Sequence, residues 1–115
     1  MWVFSRMGFF SVVENRNNTE EVMVRARCID DITRLALRLG NSAITQTPTA
    51  DYPYRLTCPK TAWANIMYDT AEDIDYDNFK NTITDDPLRS ACYSEVWFAA
   101  MMIDDRQFDE HRVVG

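Results

Sequence analysis

Apolar residues recur along the chain with two spacings, and each spacing predicts a kind of element. Residues 2 to 4 (WVF) and 9 to 13 (FFSVV) are dense in aromatic and β-branched side chains. A turn carrying Gly8 separates them, which reads as two short strands or one bent one. The polar stretch ENRNNTEE, Glu14 to Glu21, has the asparagine content of a hairpin loop. It leads into VMVRARC, residues 22 to 28. There Val22, Val24, Ala26 and Cys28 fall on one side of a strand and Met23, Arg25 and Arg27 on the other, because successive strand side chains point to opposite faces. The spacing then becomes helical: Ile29, Ile32, Leu35, Ala36 and Leu39 form a stripe, Asp30 and Asp31 suit the positive end of the helix dipole, and Gly40 supplies a stop.

The plan recurs downstream. AITQT (43 to 47) and YPYRLTC (52 to 58) read as strands around the turn-rich PTAD (48 to 51). A second helix starts near Pro59 with an apolar stripe of Trp63, Ile66, Met67, Ala71 and Ile74. Strand, strand, helix thus occurs twice, which raises the idea of a β-β-α repeat. A third helix is expected from Pro87 to about Ile103, with Asp85 or Asp86 as cap and Pro87 in the first turn, where its missing N–H costs nothing. Leu88, Ala91, Cys92, Val96, Ala99 and Ile103 mark one stripe, and Tyr93, Trp97, Ala100 and Met101 widen it almost around the helix. Such a helix is either buried or a partner surface, and burial within the fold is the expectation. The predicted fold is α+β, a small antiparallel sheet of about four to five strands packed with three helices, mainly on one face. Residues 1–104 form one domain in this reading, and residues 105–115 a charged, flexible tail.

A chain of 115 residues with 46% apolar and 26% charged positions can bury a core without metals or disulfides. The opening MWVFSRMGFFSVVE is interrupted by Ser5, Arg6 and Gly8 and lacks the basic start and unbroken apolar block of a signal peptide. The longest apolar run, VWFAAMMI at 96 to 103, falls well short of the roughly 18 to 20 residues of a membrane span. Cys28, Cys58 and Cys92 are odd in number and far apart, which suggests reduced cytosolic thiols buried as small hydrophobes. A net charge of −6 argues against broad nucleic-acid binding, and direct contact with nucleic acid is not expected, although a local basic patch stays open.

Candidate chemistry is sparse. DIDYDNFK, Asp73 to Lys80, resembles the start of a calcium loop, but Asn78 stands where the turn glycine belongs and Thr84 where the bidentate glutamate belongs. It reads as an acidic turn with Tyr76 and Phe79 packing inward, and neither a metal nor a cofactor is expected. His111, the only histidine, falls in the tail, and the three glycines are isolated, so neither a nucleophilic triad nor a phosphate loop is indicated. The most specific candidate is a set of arginines. Arg25 and Arg27 share a strand face, and Arg55 opposes the apolar set Tyr54, Leu56 and Cys58, so it can face the same way. Arg25, Arg27 and Arg55, with Tyr54 to stack, would hold an anionic ligand or an acidic partner segment. Internal pairing with Glu20, Glu21 and Asp51 is the competing reading. Tyr93, Trp97 and Met101 on the third helix form a candidate partner surface.

The ordered set MWVF and GFFSVV, VMVRAR, DYPYRL, the Trp63 helix, IDYDNFK and the late YSEVW is similar to a family of small, uncharacterised proteins from bacteria and their phages. The resemblance covers most of residues 1 to 98; the segment AAMMIDDRQFDEHRVVG departs from it. It implies a cytoplasmic protein of a bacterium or mobile element and carries no catalytic assignment. The functional expectation is therefore a non-catalytic binding or regulatory protein with a protein partner or a homodimeric contact, concretely an anti-defence inhibitor of the anti-CRISPR kind. The alternative is a binder or processor of a small anionic ligand such as a nucleotide.

Overall fold

The computed structural model describes residues 1–40 and 43–106. Five strands make one antiparallel sheet: β1 (Trp2–Phe4), β2 (Phe9–Asn15), β3 (Asn18–Ala26), β4 (Thr45–Gln46) and β5 (Tyr54–Pro59), in spatial order β1-β2-β3-β5-β4. With α1 (Ile29–Leu39), α2 (Lys60–Glu72) and α3 (Pro87–Ala100) the fold is α+β. Strand, strand, helix does occur twice, but β4 has two residues against seven in β2, and the halves are not established as copies. No helix among the described residues is long and apolar enough to cross a membrane. The chain divides into two compact units, Met1–Asp75 and Tyr76–Gly115. The expected tail lies, from residue 107 onward, outside the described residues, as does His111.

In the first unit alternation does what the sequence predicts. Val12 pairs with Val24 and Val24 with Leu56, while Val22 pairs with Cys58, so one face of the sheet is apolar across its three central strands. That face meets Ile32, Leu35 and Ala36 of α1 and Trp63 and Ile66 of α2 in a single buried cluster. The expected loop from Glu14 to Glu21 is mostly strand. Only Arg16 and Asn17 separate β2 from β3, because Asn15 and Asn18 accept the amides of Asn17 and Glu20 at 3.2 and 3.0 Å and tighten the turn.

Helix α1 ends as predicted on Gly40, whose φ of 65° places it in the left-handed region. Its start differs from the expectation that Asp30 and Asp31 merely face the dipole. Asp31 is 2% exposed and accepts the Phe9 amide at 3.0 Å, tying α1 to the first residue of β2. Arg34 donates to the other oxygen at 2.6 Å and neutralises the buried charge. Gly8 leaves the space: a Cβ there would lie 2.4 Å from Asp31 Cγ.

In the second unit Asp86 caps α3 by accepting the Arg89 amide at 3.1 Å, with Pro87 in the first turn. A short 3-10 turn, Phe79–Ile83, precedes the helix, and another, Met101–Ile103, follows it. The expected burial of the α3 stripe is not found. Leu88, Ala91, Cys92, Ala99 and Ile103 are exposed, and Tyr93 is the one α3 residue described as buried. Periodicity marks which side chains share a face but does not say whether another element covers it.

Candidate anion-binding face

The sheet face opposite α1 and α2 carries polar and charged side chains in register. Trp2 pairs with Ser11, Ser11 with Arg25, Arg25 with Arg55, and Arg55 with Thr45. Directly opposed residues of antiparallel strands point to the same side, so this row crosses all five strands on one surface. Arg27, just beyond the end of β3, keeps the parity of Arg25 and sits over the same aromatic ring, that of Tyr52.

Tyr52 organises the arginines. Its ring is 6% exposed, and the guanidinium carbons of Arg25 and Arg27 lie 4.8 and 4.7 Å from its centroid. Stacking of this kind holds a guanidinium flat and leaves its in-plane N–H groups available. Arg25 Nη2 donates to the Ser11 hydroxyl at 2.7 Å, Arg27 Nη1 to the Asp51 carbonyl at 2.8 Å, and Arg55 Nε to the Tyr52 carbonyl at 3.3 Å. Each arginine thus spends one donor on a neutral oxygen. Arg25 Nε is buried and makes no hydrogen bond among the described residues.

None of the three guanidiniums forms an ion pair among the described residues. Two of the acids suspected of neutralising them, Asp51 and Glu21, make other hydrogen bonds, and Glu20 forms no ion pair with them among the described residues. Asp51 offers its backbone oxygen to Arg27 while its carboxylate accepts its neighbour's amide, from Tyr52, at 2.9 Å. Glu21 accepts the Asn15 amide group at 3.2 Å. Four other cations of the unit do find carboxylates, Arg6 with Asp75, Arg34 with Asp31, Arg38 with Asp69 and Lys60 with Glu14, while Arg16 in the β2–β3 turn forms no ion pair among the described residues.

Tyr54 is a correction. It pairs with Ala26 and packs against the apolar cluster on the helix side, so it cannot stack beside the guanidiniums. The aromatic that does so is Tyr52, which precedes the strand and lies beyond Pro53, where the alternation that would equate 52 with 54 is broken. Ser11 was also missed, although alternation from Phe9 and Val13 places it on that face.

The proposed partner surface of α3 separates as well. Tyr93 is buried and stacks on Phe79 at 5.7 Å, Trp97 is exposed with Lys80 Nζ 4.0 Å from its ring centre, and Met101 belongs to the 3-10 turn after the helix. In DIDYDNFK, Asp75 takes Arg6 at 3.1 Å, the Asp73 carbonyl accepts from the same arginine at 2.9 Å, and Asn78 caps the following 3-10 turn. Among the described residues no three His, Cys, Asp or Glu side chains converge as a metal site. A shallow groove of about 570 Å³ near the β2–β3 turn is lined by Glu20 and Glu21 as well as Lys60, which makes it a poor anion site. Cys58 is buried and its thiol is pushed above the ordinary value by burial and by the Glu21 charge, which disfavours a nucleophilic role. No family model, no curated protein and no solved structure matches the chain.

Proposed function

We propose that the protein is a non-catalytic binding protein that recognises an anionic group, phosphate or carboxylate, on the open face of its sheet. The observation that carries this reading is the set Arg25, Arg27 and Arg55. These three guanidiniums have no carboxylate partner among the described residues, in a chain whose net charge is −6 and in which Arg6, Arg34, Arg38 and Lys60 do pair with acids. A surplus of acid would neutralise an idle cation at little cost; leaving three together favours an incoming anion. Thermal unfolding with inorganic pyrophosphate tests it. The midpoint should rise with ligand concentration, by an amount equivalent to about 2.7 kcal/mol at a hundredfold excess over Kd. The rise should vanish when Arg27→Ser and Arg55→Thr are combined. An unchanged midpoint for the wild type with pyrophosphate and with a dicarboxylate counts against the reading.

A second reading, contact with another protein, is favoured by the apolar surface of the C-terminal unit, where Trp97, Phe98, Met102 and Ile103 are exposed. In the bacterial or phage setting that its motifs suggest, such a surface suits a cytoplasmic regulator or an anti-defence inhibitor of the anti-CRISPR kind. Light scattering over a concentration series separates a homodimer from a monomer. A heterologous partner retained by wild type and lost with Phe98→Glu supports the reading, and equal retention by both removes it.

A further inference from the structure

We propose that the open sheet face binds a single strand of nucleic acid, with phosphates on Arg25, Arg27 and Arg55 and a base stacked on Trp2. The proposal rests on the anion-binding reading of the same face and adds the class of ligand. Its additional observation is a line of aromatic rings leading up to the arginines. Trp2 meets Phe9 edge to face at 6.5 Å, Phe4 stacks on Phe9 at 4.4 Å, and Phe9 lies 6.2 Å from Tyr52, the ring beneath Arg25 and Arg27. At the far end Trp2 is 71% exposed. An indole on the surface, in the same cross-strand row as Ser11 and Arg25, gives a base its π-face on a strand whose backbone lies about two strand spacings, roughly 10 Å, from that of Arg25.

The arrangement decides among anions. Small-ligand sites are concave pockets, whereas these three guanidiniums lie together on a sheet face, Arg25 and Arg27 over one ring, and continue into the aromatic row that ends at Trp2. That continuous row suits an extended polyanion. An acidic peptide would use the arginines but gives no role to an exposed indole beside them. A duplex keeps its bases stacked on one another and offers an exposed indole no free base face, whereas unstacked bases of a single strand can lie on aromatic rings. The overall charge of −6 sets the scale, since only three cations face the ligand. Binding should therefore be modest and weakly salt-dependent, with a log-log slope near −2 for three phosphates of a single strand.

The test is fluorescence anisotropy of a labelled oligothymidylate of about ten nucleotides against the full chain, over a salt series. Thermal unfolding with inorganic pyrophosphate and competition by polyglutamate run in parallel. The expected result is saturable binding with that slope. Trp2→Ala should weaken affinity roughly 5- to 150-fold at unchanged slope, with Trp2→Phe retaining most of it. Arg27→Ser should reduce the slope by about 0.7. Both residues are exposed, and a cooperative unfolding transition well above the assay temperature verifies that each variant folds. Pyrophosphate stabilisation without oligonucleotide binding overturns this proposal and leaves the anion site standing; no response to either overturns both. Oligonucleotide binding indifferent to Trp2→Ala and Arg27→Ser, or displaced as readily by polyglutamate, also overturns it.

Discussion

Arg25 and Arg55 stand directly opposite each other on adjacent strands of one sheet, on the same face, and neither has a carboxylate partner among the described residues. Like charges so placed destabilise a strand pair by roughly 0.2–1 kcal/mol. Arg55→Thr removes the repulsion and installs a good strand former on a half-buried position. Urea unfolding should show the variant about 0.5 kcal/mol more stable at unchanged m-value, while its response to pyrophosphate weakens. A less stable variant would mean that the Arg55 bond to the Tyr52 carbonyl outweighs the repulsion.

Gly8 and Asp31 make a second pair whose removal has a calculable sign. At Gly8 the φ is 153°, and an added Cβ would meet Asp31 Cγ at 2.4 Å and Asp31 Oδ2 at 2.7 Å. Gly8→Ala must displace a buried carboxylate that holds the Phe9 amide and the Arg34 guanidinium. A loss of about 3 kcal/mol is expected. Asp31→Ala instead leaves the Phe9 amide without that acceptor and costs about 1–3 kcal/mol. Alanine at 31 removes the Cγ and Oδ2 contacts but keeps a Cβ 2.7 Å from the added atom, and the strain of φ 153° persists, so adding Gly8→Ala to Asp31→Ala should cost less than adding it to wild type without becoming neutral. Additive losses in urea titrations of the four proteins would show that the two positions are independent.

How far these features could be read beforehand depends on which physical rule governs each. Strict alternation in VMVRARC fixes Arg25 opposite Val24 and Ala26, and β3 obeys it, so the arginine face was legible. Tyr54 was misplaced as a stacking partner although its own alternation with Arg55 puts it on the other side, and Tyr52 could not be assigned because Pro53 interrupts the period. Asp31 looked like an ordinary first-turn acid; its role depends on β2 returning beside α1, a tertiary proximity that helix rules do not encode. The α3 stripe has a clear period, yet its exposure depends on what lies against it.

The three cysteines should react in order of access. Cys92 is exposed, Cys28 half-buried and Cys58 buried. For Cys58, burial and then the Glu21 charge raise the thiol above its ordinary 9.0, while a hydrogen bond from the Trp63 backbone opposes them. Mass spectrometry after timed iodoacetamide treatment near neutral pH should show Cys92 alkylated first and Cys58 last. Because the folded state holds the Cys58 proton more tightly than the unfolded chain, its contribution to stability is complete below about pH 9 and fades as pH rises through the folded value. Urea midpoints should therefore fall above that pH in wild type and fall less in Cys58→Ala. Equal slopes in the two would assign the alkaline loss to other groups.

Tyr52 tests whether the arginine face is preorganised or merely charged. Each guanidinium over its ring contributes roughly 0.5–2 kcal/mol through the aromatic quadrupole, an interaction that an aliphatic side chain cannot make. Tyr52→Phe keeps the ring and should leave both stability and pyrophosphate affinity close to wild type. Tyr52→Leu keeps apolar bulk but frees Arg25 and Arg27, and should cost about 1–3 kcal/mol in unfolding together with a several-fold loss of affinity. Tyr54→Leu is the control from the opposite face. It loses contacts with the apolar cluster, so it should lower stability without changing affinity in titrations below its own unfolding midpoint. If Tyr52→Leu and Tyr54→Leu weaken binding equally, general loosening of the sheet explains both, and the aromatic support of the guanidiniums has no separate role.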